Sequence, residues 1–280
     1  MERPVRRQAL IDDRLEAVVT AIEPPDLREQ VSRTTLAGGK RVRPTVTILS
    51  CEFVGGDSAD ALDFAVGIEL VHTASLVVDD IIDRSPIRRD APSAWSAFGH
   101  GPAIVASDGL LGEAFDRFST DPAAMQSVTA AMVELGEGEA MELVSTPSTE
   151  AEYMTLARRK TGALFRAAAE LGAIAADGDD ETVTAIGEYA ERVGVAFQIR
   201  DDVLDAVADP ETLGKPTGRD ASLDRPSLLQ VTDLSPSAAN QRARDQVELA
   251  IDALERIEPV DTEAEAYLRE LAEFVVEREQ

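Results

Sequence analysis

Cysteine is almost absent. Cys51 stands alone in 280 residues, which excludes an intrachain disulfide and a cysteine-based zinc cluster. Aromatic residues make up only 4% of the chain against 44% hydrophobic residues. An interior must therefore be built from Ala, Leu, Val and Ile, a composition that favours helix over sheet. No uncharged apolar run approaches the ~18 residues of a membrane-spanning helix. The opening segment, MERPVRRQALIDD, lacks the apolar stretch of a secretory signal. A cytoplasmic protein without an integral membrane segment is expected. Excess positive charge is also missing: the formal charge is −26, so the surface repels nucleic acid and anionic lipid. The acidic residues are spread along the chain, as on a salt-adapted, halophilic surface. Lysine is scarce too. Only Lys40, Lys160 and Lys215 are lysines among 27 Lys and Arg.

What is present is helical. The length suits one large hydrophobic core, so residues 1–280 read as one domain. Apolar periodicity predicts helices over 5–22, 44–54, 58–83, 102–118, 122–144, 149–176, 180–206, 236–257 and 261–278. Strands are not expected, because no segment sustains a period of two. Residues 210–226 read as irregular. The fold class is all-α.

Two acidic clusters end apolar helical stretches. Asp79-Asp80-Ile-Ile-Asp83 follows IELVHTASLVV, and Asp201-Asp202-Val-Leu-Asp205 follows VGVAFQI. Residues four apart share a helix face, so Asp79 aligns with Asp83 and Asp201 with Asp205. Like charges at that spacing repel unless a cation lies between them, and Mg²⁺ favours carboxylates completed by substrate phosphates. The lysines sit beside small or turn-forming residues, in GGKRVRP, KTGALF and GKPTG. A lysine is a compact charge suited to phosphate oxygens. Gly38 and Gly39 precede Lys40 and a helix start, an arrangement suited to an anion. Arg88 and Arg89 closely follow the first acidic cluster, and His72 lies two turns before Asp79 on nearly the same face.

These motifs, in this order over residues 36–230, resemble the trans-prenyl diphosphate synthase (polyprenyl synthetase) family: GGKRVRP, HTASLVVDDIIDRSPIRR, KTGALF, and AFQIRDDVLD followed by GKPTGRD. The resemblance implies antiparallel helices around a central cavity, and a homodimer. It implies Mg²⁺ held by Asp79, Asp83 and Asp201, supported by Asp80, Asp202 and Asp205. By similarity, Arg88, Lys160, Thr161, Gln198 and Lys215 contact an allylic diphosphate, while Lys40, Arg43, His72 and Arg89 hold isopentenyl diphosphate. Catalysis would fall to Asp79, Asp83, Asp201, Lys160 and Arg88. The implied reaction is head-to-tail chain elongation, with no protein nucleophile.

Several positions depart from the family pattern. Asp90 stands where glycine is usual, Ser107-Asp108 replaces Gly-Asp, and Arg225 replaces a lysine. The chain is also shorter than most relatives after residue 230. Ala74 and Ser75, one turn before Asp79, are small, so a product of geranylgeranyl length or longer is expected. Two rivals carry less weight. A class I terpene cyclase would have a mixed second metal motif, and a non-catalytic modulatory subunit would be expected to lose acidic motifs. Both motifs are intact.

Overall fold

A computed structural model describes residues 2–207 and 226–277. Its helices are α1 (Glu2–Thr20), α2 (Pro25–Thr35), α3 (Val42–Val54), α4 (Leu62–Ile82), α5 (Ala94–Phe98), α6 (His100–Phe118) and α7 (Pro122–Ala140). After these come α8 (Glu150–Ala157), α9 (Ala163–Ala175), α10 (Asp180–Val207), α11 (Leu228–Val231), α12 (Pro236–Leu254) and α13 (Thr262–Glu277). A π-helical turn, Met141–Ser145, extends α7, and another, Arg158–Gly162, joins α8 to α9.

Local chemistry sets many of the helix ends. Pro25, Pro122 and Pro236 stand in first turns, where a missing N–H costs nothing. Asp121 caps α7 by accepting from the Ala123 and Ala124 amides, and Thr149 and Ser235 cap α8 and α12. Gly55, at φ 107°, ends α3.

One apolar core runs through the bundle from Leu15 on α1 to Val275 on α13. Helix α9 lies at its centre, packed against α3, α4, α7 and α10. Alanine and glycine allow this closeness. A Cβ on Gly172 of α9 would stand 2.1 Å from the Thr47 carbonyl oxygen of α3. Cys51 is buried between these helices, and burial, aided by Asp60, Glu52 and Asp57, pushes its thiol up to about 12.

The all-α expectation holds with one small correction. Ile87–Arg88 (β1) pairs antiparallel with Ala91–Pro92 (β2). Two residues per strand give no periodicity to read. The hairpin turns on Arg89 and Asp90, at φ 51° and 61°, both in the left-handed conformation of a two-residue hairpin loop. Aspartate tolerates that region better than most side chains, which explains how Asp90 serves where glycine is usual. Apolar periodicity gives no sign of α2, α5 or α11; the last two are too short to show a period.

Candidate active site

Four helices bring chemically distinctive ends together, and the contacts between them fix the arrangement. Arg43, in the first turn of α3, lays its guanidinium over the Phe165 ring near the start of α9, 4.6 Å from the centroid. Phe165 packs on Phe197 of α10 with centroids 6.2 Å apart. One turn before Phe165, in the π turn that leads into α9, Thr161 Oγ1 donates to Oε1 of Gln198, the residue after Phe197, at 2.8 Å. His72 of α4 feels the charge of Arg43. The starts of α3 and α9 and the ends of α4 and α10 therefore lie at one end of the bundle.

The cationic side is poor in carboxylate partners. Lys40, Arg43 and Arg89 have no hydrogen-bonded or ion-paired carboxylate among the described residues, although the chain carries 53 acidic side chains. The Arg43 Nε is buried without a hydrogen-bond partner. Burial pulls the Arg43 pKa down to about 10, with Glu69 opposing the shift. Arg89 donates to the Gly38 carbonyl oxygen. A side chain at Gly39 would begin 3.0 Å from the Arg89 guanidinium carbon, so the glycine loop lets this arginine lie flat on the backbone. Burial, then Arg43, Arg89, Arg88 and Arg41, hold His72 well below the ordinary histidine range. His72 is a neutral donor and acceptor within a ring of arginines.

Beneath this ring, Arg41 is buried. It donates to Glu69 Oε1 at 2.7 Å, to Asp12 at 3.0 Å and to the Thr35 carbonyl at 3.0 Å. Arg41 and Glu69 were not assigned roles from the sequence. Nothing in GGKRVRP distinguishes the arginine that folds inward from the one that faces the cleft, except that Arg41 sits at φ 48° just before the helix.

The two acidic clusters are built alike. The middle aspartate of each is buried and committed to protein donors. Asp80 takes Arg88 Nη2 at 2.7 Å and Nε at 3.0 Å. Asp202 takes the Tyr153 hydroxyl at 2.6 Å, Gln198 Nε2 at 2.9 Å and the Leu228 amide at 2.9 Å. The flanking Asp79, Asp83, Asp201 and Asp205 are half-buried. Tyr153, which holds Asp202 in place, carries no sequence signal. Lys160 sits between Glu139, at 3.2 Å, and Glu142. Both glutamates lie at the end of α7 and its π turn, and neither stands out in the sequence. Lys215 and Arg225 lie outside the described residues.

The polyprenyl synthetase family profile matches residues 24–264. The chain belongs to the polyprenyl synthetase family. It is 33% identical to the short chain isoprenyl diphosphate synthase of Methanothermobacter thermautotrophicus, over 96% of both chains. Its fold matches the crystal structure of geranylgeranyl pyrophosphate synthetase from Pyrococcus horikoshii with a TM-score of 0.88 and 34% identity, over 98% of this chain and 96% of that one. It also matches the polyprenyl synthase of Caulobacter crescentus, crystallised with calcium and isoprenyl diphosphate. That TM-score is 0.86 at 27% identity, over 99% and 94% of the chains.

The carboxylates of this polyprenyl synthetase suit a hard divalent ion. Their donors are all oxygen, and the flanking aspartates are set by helix geometry on one face. Among the described residues no group of three or more acidic, His or Cys side chains is close enough to hold an ion unaided. Two family departures are absorbed structurally. Besides Asp90, Ser107 places its hydroxyl on the Ala74 carbonyl at 3.2 Å, tying α6 to α4.

Proposed function

We propose that the protein condenses an allylic prenyl diphosphate with isopentenyl diphosphate, head to tail, to give an all-trans prenyl diphosphate of geranylgeranyl length or longer. The observation that carries this reading is the pair Arg43 and Arg89 beside neutral His72, neither guanidinium hydrogen-bonded to a carboxylate among the described residues of so acidic a chain. Such a site is built for a diphosphate, and it stands at the same bundle end as both acidic clusters. In this reading Lys40, Arg43, His72 and Arg89 bind isopentenyl diphosphate. Arg88, Lys160, Thr161 and Gln198, with Lys215, bind the allylic diphosphate. Asp79, Asp83, Asp201 and Asp205 hold Mg²⁺, while Asp80 and Asp202 stand behind them and orient Arg88, Gln198 and Tyr153.

Magnesium, when bound, supplies positive charge at the oxygens of the departing diphosphate. Arg88 and Lys160 add fixed charge as the allylic C1–O bond breaks, which is electrostatic stabilisation of the leaving group. Arg43 and Arg89 hold the second substrate so that its double bond faces C1 and attacks it. The proton lost from the adjacent carbon passes to the released diphosphate. Phe165, Phe197 and the alanine-rich helix walls keep water from the cationic carbon. A single domain over residues 1–280, action in the cytoplasm and a homodimer belong to the same proposal. Exposed Val78 and Ile82 on α4, with Ile104 and Val105 on neighbouring α6, support the dimer.

Product chromatography with labelled isopentenyl diphosphate and a panel of allylic primers tests the reading. Elongated diphosphates that require both substrates are expected. Hydrocarbon released from the allylic substrate alone would indicate a cyclase instead, and no turnover by the isolated protein would indicate a modulatory subunit.

A further inference from the structure

A second cleft lies about a quarter turn round α4 from the face that carries His72, Ser75 and Asp79. It opens between α2, α4, the β-hairpin and α5 as a cleft open to solvent. Its walls divide by chemistry. Leu76, Val77, Ala94 and Phe98 form an apolar side. Arg33, Arg88 and Arg89 supply three cations against one carboxylate, Asp80, which Arg88 already neutralises. Arg33 is exposed and has no carboxylate partner among the described residues; its guanidinium lies 5.2 Å from the Phe98 ring centroid. Thr73 also lines the cleft, and its hydroxyl is buried without a hydrogen-bond partner. Lys40, Arg43 and His72 are not part of these walls.

We infer that this cleft is a binding site for a phosphate monoester carrying a short hydrocarbon. The arginines and the Thr73 hydroxyl take the phosphate oxygens, and the apolar side takes the chain. A chain with a formal charge of −26 has little reason to leave Arg33 beside two further arginines unless an anion completes them. Arg89 is the shared wall: it reaches from this cleft to the Gly38 carbonyl of the glycine loop. An occupant that draws Arg89 inward removes a cation from the ring around His72, so occupancy lowers turnover. The binding half of the inference stands independently of the function proposed above, and the regulatory half rests on it.

Trp95, the sole tryptophan, does not line the cleft but is next in the chain to Ala94, which does, so its fluorescence reports from beside it. Its indole N–H donates to the Ser85 carbonyl at 2.9 Å and its ring stacks on His100. The full chain, free of metal, is titrated with n-pentyl phosphate and, separately, with inorganic phosphate, while Trp95 fluorescence is followed. A saturable change is expected, with pentyl phosphate binding about tenfold tighter than inorganic phosphate because of its buried methylenes. Arg33→Gln, on an exposed side chain that does not hold the fold, should weaken pentyl phosphate about tenfold. Arg43→Gln, on the other face, should leave binding within about twofold, as expected for a separate site. No saturable change, or a loss in Arg43→Gln with none in Arg33→Gln, overturns the site. In turnover assays Arg33→Gln should match the unmodified enzyme but escape inhibition by pentyl phosphate. Inhibition that persists in Arg33→Gln overturns the regulatory half. Turnover absent throughout would sink the proposed function and leave the fluorescence result standing.

Discussion

His72 takes its protonation state from its neighbours. Burial and four arginines disfavour the imidazolium, so the side chain stays neutral where an ordinary histidine would titrate, near pH 6.5. The unfolded chain binds that proton and the folded one does not. This residue's contribution to stability is therefore complete above about pH 6.5 and lost as pH falls below it. A bound diphosphate offsets the arginine charge, so adding inorganic diphosphate should raise the His72 pKa in an NMR titration. A free-protein value at or above about 6.5 would contradict the arrangement. Product length rests on a neighbouring residue. Ser75 lies on the face shared by His72 and Asp79, with its hydroxyl turned back onto the His72 carbonyl at 2.8 Å. Ala74 is buried against α6, so of the two small residues only Ser75 is placed on the face an elongating chain would follow. Ser75→Phe should shift products to shorter chains on chromatography, and an unchanged distribution would place the floor elsewhere. At this scale the sequence makes the aspartates, lysines and His72 legible, because each is an unusual residue in an apolar or lysine-poor setting. Glu69, Tyr153, Glu139 and Glu142 are not legible. A glutamate in so acidic a chain looks like surface until the fold shows it buried, as Glu69 is, or paired with a lysine, as Glu139 and Glu142 are.

At the scale of elements, α9 is held so tightly that its small residues decide the packing. Gly172 has no room for a Cβ against the α3 backbone. Gly172→Ala must push α3 and α9 apart, a forced overpacking that costs about 1–3 kcal/mol. A lowered Tm in thermal melts, by several degrees, is the expected result; an unchanged Tm would mean that the α3–α9 crossing is looser than drawn. The long helices are legible from their apolar periodicity, and the main boundaries fall within a few residues of expectation, as for α3, α6 and α10. The segment 149–176 reads as one helix because a π turn leaves no mark on composition. Yet this turn, Arg158–Gly162, aims Lys160 at Glu139 and Glu142 and Thr161 at Gln198. Helix α2 stays hidden because its polar residues outweigh the few it buries, Val31 and Thr35.

For the whole molecule, charge is the dominant fact. A formal charge of −26 on 280 residues loads the folded state with self-repulsion. Salt shortens the Debye length from about 10 Å at 0.1 M to about 3 Å at 1 M. Melts in KCl should therefore show Tm rising with salt, and a falling Tm would mean that the surface ion pairs matter more than the net charge. Against that background the bundle brings Arg43, Arg88 and Arg89 close to His72, and the proposed function rests on this cationic group working with the two acidic clusters on the diphosphates. The most direct test is steady-state turnover of Asp79→Ala and Asp201→Ala with Mg²⁺ and both diphosphate substrates, alongside circular dichroism. Each substitution should lower kcat on the order of 10²–10³-fold or more, as when charge stabilisation at a leaving group is removed, with helicity unchanged. Near-normal turnover in either variant would contradict the account.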